Sequence, residues 1–441
     1  MECYDEFMNL WTESLWGDEA FSAMAVQKNL FEMLSVVMKD TAPPLFYLVG
    51  YGWGRLFGFS EVALRSLTLL LMVGTATFAG LIVHEIDRDK VKGFLAGALA
   101  FLSPFILPFA FEWRMYALLT FTVTASTYFF ISKKWFWYVI FALAAMYTHH
   151  FAVFTVFAQG VWFMLTEFPY RKPKQWLGQL KPFLWIIFGY SFWLYPFYTQ
   201  VQRVKGSGFW LSVPKINDLV DLLYRFATGG VAKRWQVMVA ILAATILLLK
   251  EWKRVYGRWV GLLLIFSAPI FLSYFLSKII TPIFYDRYLL SAVVGSSVLL
   301  VVGVKKQFVW LVVILLAVYG YLSWNVFNSP RKRPFREFAA YVKTQVKTDD
   351  YLLNWNGRAH HIWETKYYGI PAPIYTPNGP LPLYVGTAQM IPNDTVDKLP
   401  SKPRIGLIAS EDPKEINLPG YKMTFVKQFA ELRFMWWSKT K

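Results

Sequence analysis

The sequence predicts a polytopic α-helical membrane protein with a small α/β domain at its carboxyl end. Three observations lead to this fold class. Of the 441 residues, 56% are hydrophobic and only 17% are charged, whereas a typical soluble protein has about 25% charged residues. Ten apolar stretches approach the roughly 20 residues that a spanning helix needs. From residue 326 onward, prolines and charges interrupt every apolar run.

The ten predicted spans form a transmembrane bundle over residues 62–325, between region 1–61 and region 326–441. The spans are 62–84, 92–110, 113–132, 135–148, 150–166, 183–200, 235–250, 259–277, 288–304 and 308–325. An even number of spans leaves both chain ends on one side. Since residues 1–16 lack the apolar core of a signal peptide, we expect that one amino-terminal span is missing, through a late start site or a truncation.

Charge placement predicts the orientation of the bundle. The net charge of +17 comes from 45 basic and 28 acidic residues, which in a soluble protein would suggest nucleic-acid binding. Here the cations occupy alternate loops, which the positive-inside rule makes cytoplasmic, so no nucleic-acid partner is expected. These loops contain Arg88, Lys90 and Lys92, Lys133 and Lys134, Arg171 to Lys181, Lys250 to Arg258, and Lys305 and Lys306. Regions 1–61 and 326–441 are then extracytoplasmic, at the plasma or inner membrane.

One loop, 201–234, is basic although it falls on the outer side. Its cations are Arg203, Lys205, Lys215, Arg225, Lys233 and Arg234. Two interpretations stay open. Longer loops escape the positive-inside rule, or outward-facing cations bind an anionic substrate at the membrane surface.

The region after Pro330 is predicted to form the small α/β domain. Helices are expected over Pro334–Val346, with proline at the start, and over His361–Tyr368, ending at Gly369. Strands are expected at Tyr351–Leu353, Arg404–Ser410 and Leu432–Trp437. This domain lacks a glycine-rich phosphate loop, so no nucleotide is assigned. The single cysteine, Cys3, excludes an intramolecular disulfide and a multi-cysteine metal site.

The amino-terminal region contains the most informative acidic residues. Asp18 and Glu19 begin a helical pattern that runs toward Met38. An isolated acidic pair here is more simply a helix cap and first-turn residue. However, Asp40 and the pair Pro43-Pro44 follow, before an aromatic stretch expected at the membrane interface. Three carboxylates are therefore predicted to gather at the outer surface of the membrane.

Two later clusters are predicted on the same face. Glu112 and Arg114 lie where two spans meet, beside Tyr116, and ionisable groups there indicate function or a simple interfacial anchor. His149 and His150 follow one hairpin later, without metal-ligand spacing. Asp286, Arg287 and Tyr288 lie at the mouth of span 288–304. Carboxylates can act as general bases and arginine binds phosphate by bidentate contacts, so these residues indicate an acid/base and phosphate-binding site.

The ordered motifs resemble those of one family of membrane glycosyltransferases. They are "SLWGDEAFS", Asp40-x-x-Pro43-Pro44-Leu45-x-Tyr47, "FGFSEVALRS", "EWRMYAL", "YTHHFAVF" and "FYDRYLL". Together they are similar to the polyprenyl-phosphate-dependent glycosyltransferases of family 39, with the GT-C fold. That family includes protein O-mannosyltransferases and, more distantly, lipid A aminoarabinose transferases. The resemblance covers roughly residues 14–325.

The resemblance implies an inverting transfer of a sugar from a polyprenyl-phosphate donor, such as a dolichyl phosphate mannose, to an acceptor hydroxyl of a glycan, lipid or protein. Asp18 would be the catalytic base, with Glu19 and Asp40 supporting substrate placement. Arg114 and Arg287 would hold the phosphate of the leaving group. Glu112, Tyr116, His149, Arg203, Lys205 and Tyr288 complete the predicted substrate-binding set. No cofactor is identified, and a divalent metal is left open.

One residue departs from the family pattern. The histidine that usually precedes the Pro-Pro pair is Ala42 here, so any contact made by that histidine must be made by another residue.

The main alternative function is that of a transporter or flippase of an anionic lipid-linked substrate. A transporter should show internal repeats and polar groups at mid-membrane, whereas the acidic residues here collect at one face. A non-catalytic assembly protein is the third hypothesis.

Overall fold

The computed structural model describes residues 9–168, 175–207, 211–230 and 233–440. Within these ranges the chain forms eighteen α-helices and six β-strands. The predictions that concern Cys3 and Arg171 lie outside the described residues, and so do the side chains of Lys233 and Arg234. The helices form one bundle, and the strands form a domain that packs against one end of it, which we call the domain end.

The amino-terminal part and the bundle contain sixteen of these helices. They are α1 (Gly17–Gln27), α2 (Leu30–Lys39), α3 (Leu45–Phe57), α4 (Glu61–Asp87), α5 (Lys90–Phe101), α6 (Leu107–Ala110), α7 (Tyr116–Ile131), α8 (Trp135–Thr148), α9 (Ala152–Thr166), α10 (Trp176–Ser191), α11 (Leu194–Ser207), α12 (Ile216–Thr228), α13 (Lys233–Leu248), α14 (Trp252–Ile279), α15 (Leu290–Val301) and α16 (Val309–Phe327). The carboxyl-terminal domain adds α17 (Phe335–Gln345) and α18 (His361–Tyr367).

Three helices are long and apolar enough to cross a membrane, namely Glu61–Asp87, Trp252–Ile279 and Lys306–Phe327. Four shorter apolar helices accompany them in the described residues. The structure differs from the predicted spans at two places, because span 92–110 breaks between α5 and α6, and span 183–200 breaks between α10 and α11. A ten-span topology therefore remains a prediction.

Close backbone contact holds α4 and α5 together. A Cβ atom added to Gly80 would lie 2.6 Å from the carbonyl oxygen of Gly93. Small residues at such crossings are typical of membrane helices, whose association depends on close packing rather than on the hydrophobic effect. Large apolar side chains on α10, such as Ile187 and Phe188, are more than half exposed, as expected for a helix that faces lipid.

A buried ion-pair cluster closes the end of the bundle away from the domain. Asp87, at the carboxyl end of α4, is fully buried and accepts from Lys92 Nζ at 2.9 Å and from Arg254 Nη2 at 3.1 Å. The Gly303 amide donates to both oxygens of the same carboxylate, at 3.2 and 3.0 Å. One carboxylate thus joins α4, α5, α14 and the segment after α15.

The carboxyl-terminal domain has the predicted α/β character. Its strands are β1 (Tyr351–Asn354), β2 (Ile374–Tyr375), β3 (Thr395–Val396), β4 (Arg404–Ala409), β5 (Tyr421–Phe429) and β6 (Leu432–Lys439). The sheet order is β3-β2-β1-β4-β6-β5, parallel through β4 and antiparallel for β6 and β5. The predicted strands and both predicted helices are confirmed, while β2, β3 and β5 are additional.

The domain rests on the amino-terminal helices. The amide of Leu15 donates to the hydroxyl of Tyr368 at 2.8 Å, and Tyr367 donates its hydroxyl to the carbonyl of Phe59 at 2.7 Å. The ring of Trp363 on α18 meets Phe21 on α1 edge to face, with centroids 5.2 Å apart. These contacts connect the domain directly to the helix that carries Asp18 and Glu19.

Candidate active site

Helix α1 turns its two first-turn carboxylates into different surroundings. It begins at Gly17, and the Glu19 carboxylate accepts from the Trp16 amide at 3.2 Å, which satisfies an otherwise unpaired donor. Successive residues of an α-helix point about 100° apart. As a result the Asp18 side chain is 30% exposed, whereas the Glu19 side chain is completely buried.

Glu19 is held on every side by donors. Arg65 approaches it with two nitrogens, at 3.3 and 3.0 Å, Lys332 at 3.0 Å and the Trp113 amide at 2.7 Å. Burial alone would raise the pKa of Glu19, but Arg65 and Lys332 lower that pKa to about 2. A permanently ionised, enclosed carboxylate fixes α1 against α4 and the linker before the domain.

Among the described residues, the carboxylate of Asp18 has a single ion-pair partner, and that partner is distant. Its Oδ2 lies 3.8 Å from Nη1 of Arg287, which comes from the 3₁₀ helix Asp286–Leu289. The guanidinium of Arg287 also lies over the ring of Trp16, 4.5 Å from its centroid. Asp18 therefore keeps carboxylate oxygens accessible to a substrate.

Arg287 also borders a cavity of about 610 Å³ at the domain end. One part of its wall is apolar, with Leu10, Pro104, Phe105, Pro108 and Phe109. The other part is charged, with the cations Arg225, Arg287, Arg331, Lys332 and Arg333 and the acids Glu13, Glu112, Asp286 and Glu431. Within the described residues, the guanidinium of Arg331 has no ion-pair partner. Such a combination suits a ligand with both an apolar chain and an anionic head.

Glu112 lies in the same cavity wall with an unsatisfied carboxylate. Its side chain is buried, and Oε1 has no hydrogen-bond partner among the described residues. Burial raises the pKa of Glu112, against the opposing effects of Arg287 and Lys332. A buried polar atom without a partner is unusual in a folded protein, so this oxygen is available to a ligand.

Arg114 binds α1 beside Asp18, and its charge also acts on Asp40. Its Nη1 donates to the Asp18 carbonyl at 3.1 Å and to Ser22 Oγ at 2.7 Å. Asp40, at the end of α2, is half-buried. Burial raises the pKa of Asp40 to about 6, although the charge of Arg114 acts against this. Asp18 and Glu19 thus lie on α1, and Asp40 lies close enough for the charge of Asp18 to act on it.

Three predicted binding residues form one aromatic cluster. The ring of Tyr288 lies 4.6 Å from His149 and 6.0 Å from Tyr116, between centroids. Tyr116 in turn lies under the guanidinium of Arg114, at 5.9 Å. The Nδ1 atom of His149 accepts from the Phe151 amide at 3.2 Å. These residues line the aromatic side of the site.

The structure places Arg203 and Lys205 apart from this cluster. Both lie exposed on α11. Arg203 donates to the carbonyl of Met38 at 3.3 Å, and among the described residues Lys205 has no hydrogen bond or ion pair. From the same basic loop, Arg225 does reach the cavity, where it pairs with Asp286. The role of Arg203 and Lys205 in substrate binding stays a prediction.

Several residues of the site were not singled out from the sequence. Arg65 lies inside predicted span 62–84, and an arginine within a span is itself an indication of function or of a buried partner. Arg331, Lys332 and Arg333 follow the last predicted span on the side where cations are unexpected. That departure from the positive-inside rule could have drawn attention to them. In the described ranges, no group of three or more His, Cys, Asp or Glu side chains could hold a metal ion.

Comparison with known proteins gives a structural match without a close sequence match. No protein-family model and no curated protein matches the chain. The crystal structure of ArnT from Cupriavidus metallidurans in the apo state matches with a TM-score of 0.51 and 13% identity, over 97% of this chain and 95% of that one. The structure of the same protein bound to undecaprenyl phosphate gives a TM-score of 0.49 and 14% identity, over 97% and 96%. The chain has the fold of ArnT, and the predicted resemblance to the GT-C glycosyltransferases is confirmed at the level of fold.

Proposed function

We propose that this protein is an integral membrane glycosyltransferase that transfers a sugar from a polyprenyl-phosphate donor to an acceptor hydroxyl. The observation that carries the proposal is the position of Arg287, between the Asp18 carboxylate and a cavity that has an apolar wall and a charged wall with five cations. The apolar wall suits the first isoprene units, and the cations suit the phosphate. The ArnT fold supports the same class of reaction.

Asp18 is the general base in the proposed reaction. Its carboxylate takes the proton of the acceptor hydroxyl, whose oxygen forms the new bond to the anomeric carbon of the sugar. The bond between that carbon and the phosphate oxygen breaks, and polyprenyl phosphate leaves with the electron pair. Attack opposite the leaving group inverts the anomeric centre. General-base catalysis contributes about 10²–10⁴-fold to a rate.

Arg287 and its neighbours stabilise the leaving phosphate. A cation held in place before the reaction stabilises developing negative charge without reorganisation, and Arg287 is fixed by Trp16 and by its own backbone contact to Asp286. Arg331 adds a second guanidinium with free donors. Both oxygens of Glu19 are occupied by donors, so Glu19 has a positioning role: it holds α1, and with it Asp18, in place.

The carboxyl-terminal domain and the site are proposed to lie on the extracytoplasmic side, where the charge pattern of the loops places them. Arg88, Lys92 and Arg254 lie at the opposite end of the bundle, which supports that end as the cytoplasmic one. Asp40, Tyr116, His149 and Tyr288 surround the acceptor in this proposal.

The Asp18→Asn variant tests the proposal. We expect sugar transfer to fall by about 10²–10⁴-fold, while the thermal unfolding temperature in detergent stays unchanged, because Asp18 is partly exposed and has one distant partner. The readout is mass spectrometry of the lipid and glycan species that disappear from cells lacking the protein and return with the wild-type gene. Asp349→Asn, at an exposed aspartate of the domain, is the matched control. Full transfer by the Asp18 variant would overturn the assignment of the base.

A further inference from the structure

The carboxyl-terminal domain reaches the first turn of α1 through one unusually close contact. A methyl group on Gly17 would lie 2.8 Å from the Cβ atom of His360 and 3.4 Å from the His360 carbonyl oxygen. Carbon atoms under 3.0 Å apart overlap, so only glycine permits this approach. Gly17 directly precedes Asp18, and the requirement for glycine there is therefore set by the domain.

His360 packs against Gly17, the residue before Asp18, and the charge of Asp18 acts on its imidazole. It directly precedes α18, and its ring lies beside that of Tyr384, with centroids 6.5 Å apart. Within the described residues neither ring nitrogen has a hydrogen-bond partner. Burial lowers the pKa of His360, although Asp18 raises it, so the imidazole is neutral and offers one donor and one acceptor.

The neighbouring contacts make this arrangement rigid. Trp363 donates its indole N–H to the Val385 carbonyl at 2.8 Å, and Gln389 donates to the Phe21 carbonyl at 3.1 Å. These bonds fix the segment that carries Tyr384 to both α18 and α1. His360 is thus held beside Gly17, next to Asp18, by the fold of the domain itself.

We propose that His360 is a positioning residue of the acceptor subsite, and that its imidazole hydrogen-bonds the acceptor and orients the reacting hydroxyl toward Asp18. This inference rests on the proposed function. Arg287 borders the donor cavity, whereas His360 is not part of the cavity wall. The donor and the acceptor are thus assigned to separate surfaces, and the domain completes the second one. The exposed ring of Tyr384 extends that surface beside His360.

Two substitutions at His360 test the role. His360→Phe keeps an aromatic ring beside Tyr384 and removes both nitrogens, while His360→Gln keeps a donor and an acceptor. In cells lacking the protein, we expect the phenylalanine variant to reduce the restored product about 2- to 10-fold, the effect of losing one hydrogen bond, and the glutamine variant to recover much of it. Affinity of the purified variants for undecaprenyl phosphate and their unfolding temperatures should match wild type.

Three results would overturn the role of His360. They are full product from His360→Phe, an equal loss in both variants, or a loss that follows the unfolding temperature or the undecaprenyl phosphate affinity. The contact itself is tested by Gly17→Ala, which should lower the unfolding temperature. In the Gly17→Ala/His360→Gly double variant, the temperature should return to that of His360→Gly alone, because the overlapping Cβ is gone. No recovery would refute the contact.

Failure of this inference is distinguishable from failure of the proposed function. If Asp18→Asn abolishes transfer and His360→Phe does not reduce it, only the acceptor role is wrong. If Asp18→Asn transfers sugar at the full rate, the proposed base is wrong, and the Gly17 and His360 cycle still reports whether the domain docks as described.

Discussion

The two ends of helix α4 carry ion pairs of different character. At its carboxyl end, Asp87 is enclosed by Lys92, Arg254 and the Gly303 amide. At its amino end, about 30 Å away along the helix, Arg65 and Lys332 enclose Glu19 in the same manner. The amino end also carries Asp18, whose side chain is partly exposed and has one distant cation, beside a cavity of about 610 Å³.

This difference separates structural charge from functional charge. A buried carboxylate with all its oxygens satisfied connects helices and has no oxygen left for a substrate. A carboxylate with accessible oxygens and one distant cation can bind a substrate. Asp18 and Glu19 are adjacent in sequence, yet they belong to opposite classes.

The largest expected effect concerns the enclosed carboxylates. Removing one partner of a buried ion pair costs about 3–5 kcal/mol, because the remaining charge is left uncompensated. We expect Asp87→Asn and Glu19→Gln each to reduce stability by roughly that amount, measured by unfolding in detergent micelles. Asp18→Asn should leave stability unchanged, and a comparable loss there would break the distinction between open and closed carboxylates.

The next effect concerns the open side of the site. We expect Arg287→Ala to weaken the binding of undecaprenyl phosphate about 10- to 100-fold, since hydrogen bonds to charged groups contribute about 1.5–3 kcal/mol. In sugar transfer by the Arg287→Ala variant, the donor concentration that gives the half-maximal rate should rise more than the corresponding acceptor concentration. Arg88→Ala, which removes an exposed arginine at the other end of the bundle, is the control. Unchanged lipid affinity of the Arg287 variant would contradict its phosphate role.

The smallest effect is a pH dependence from Asp40. Burial raises its pKa to about 6, against about 4 in an unfolded chain, so the folded protein binds the proton more tightly. The contribution of Asp40 to stability should therefore be greatest below pH 4, fall as the pH rises from about 4 to 6, and then level off. Asp40→Asn should remove this slope in unfolding temperature. The control variant Asp397→Asn, at an exposed site, should retain the slope. If the slope persists in the Asp40→Asn variant, another group causes it.

Much of the local structure could be predicted from the sequence, for identifiable reasons. Helix α4 matches span 62–84 because a long apolar run has few alternatives in a membrane. Strand β4 follows from an uninterrupted apolar stretch at 405–409. Strand β5 was missed because Lys422, Thr424, Lys427 and Gln428 interrupt its apolar residues, and most of this edge strand is exposed.

The sequence by itself determined the class of the protein, its apolar helices, the α/β character of the last domain and some of the acidic and basic residues of the candidate site. Those properties depend on composition and on short-range periodicity. Only the tertiary structure decided which acid is open, because Asp18 and Glu19 differ in the partners that arrive from residues 65, 113, 287 and 332. It also brought His360 to Gly17 across more than 300 residues. Burial and long-range contact are properties of the packed chain, so no local pattern could have distinguished the two carboxylates.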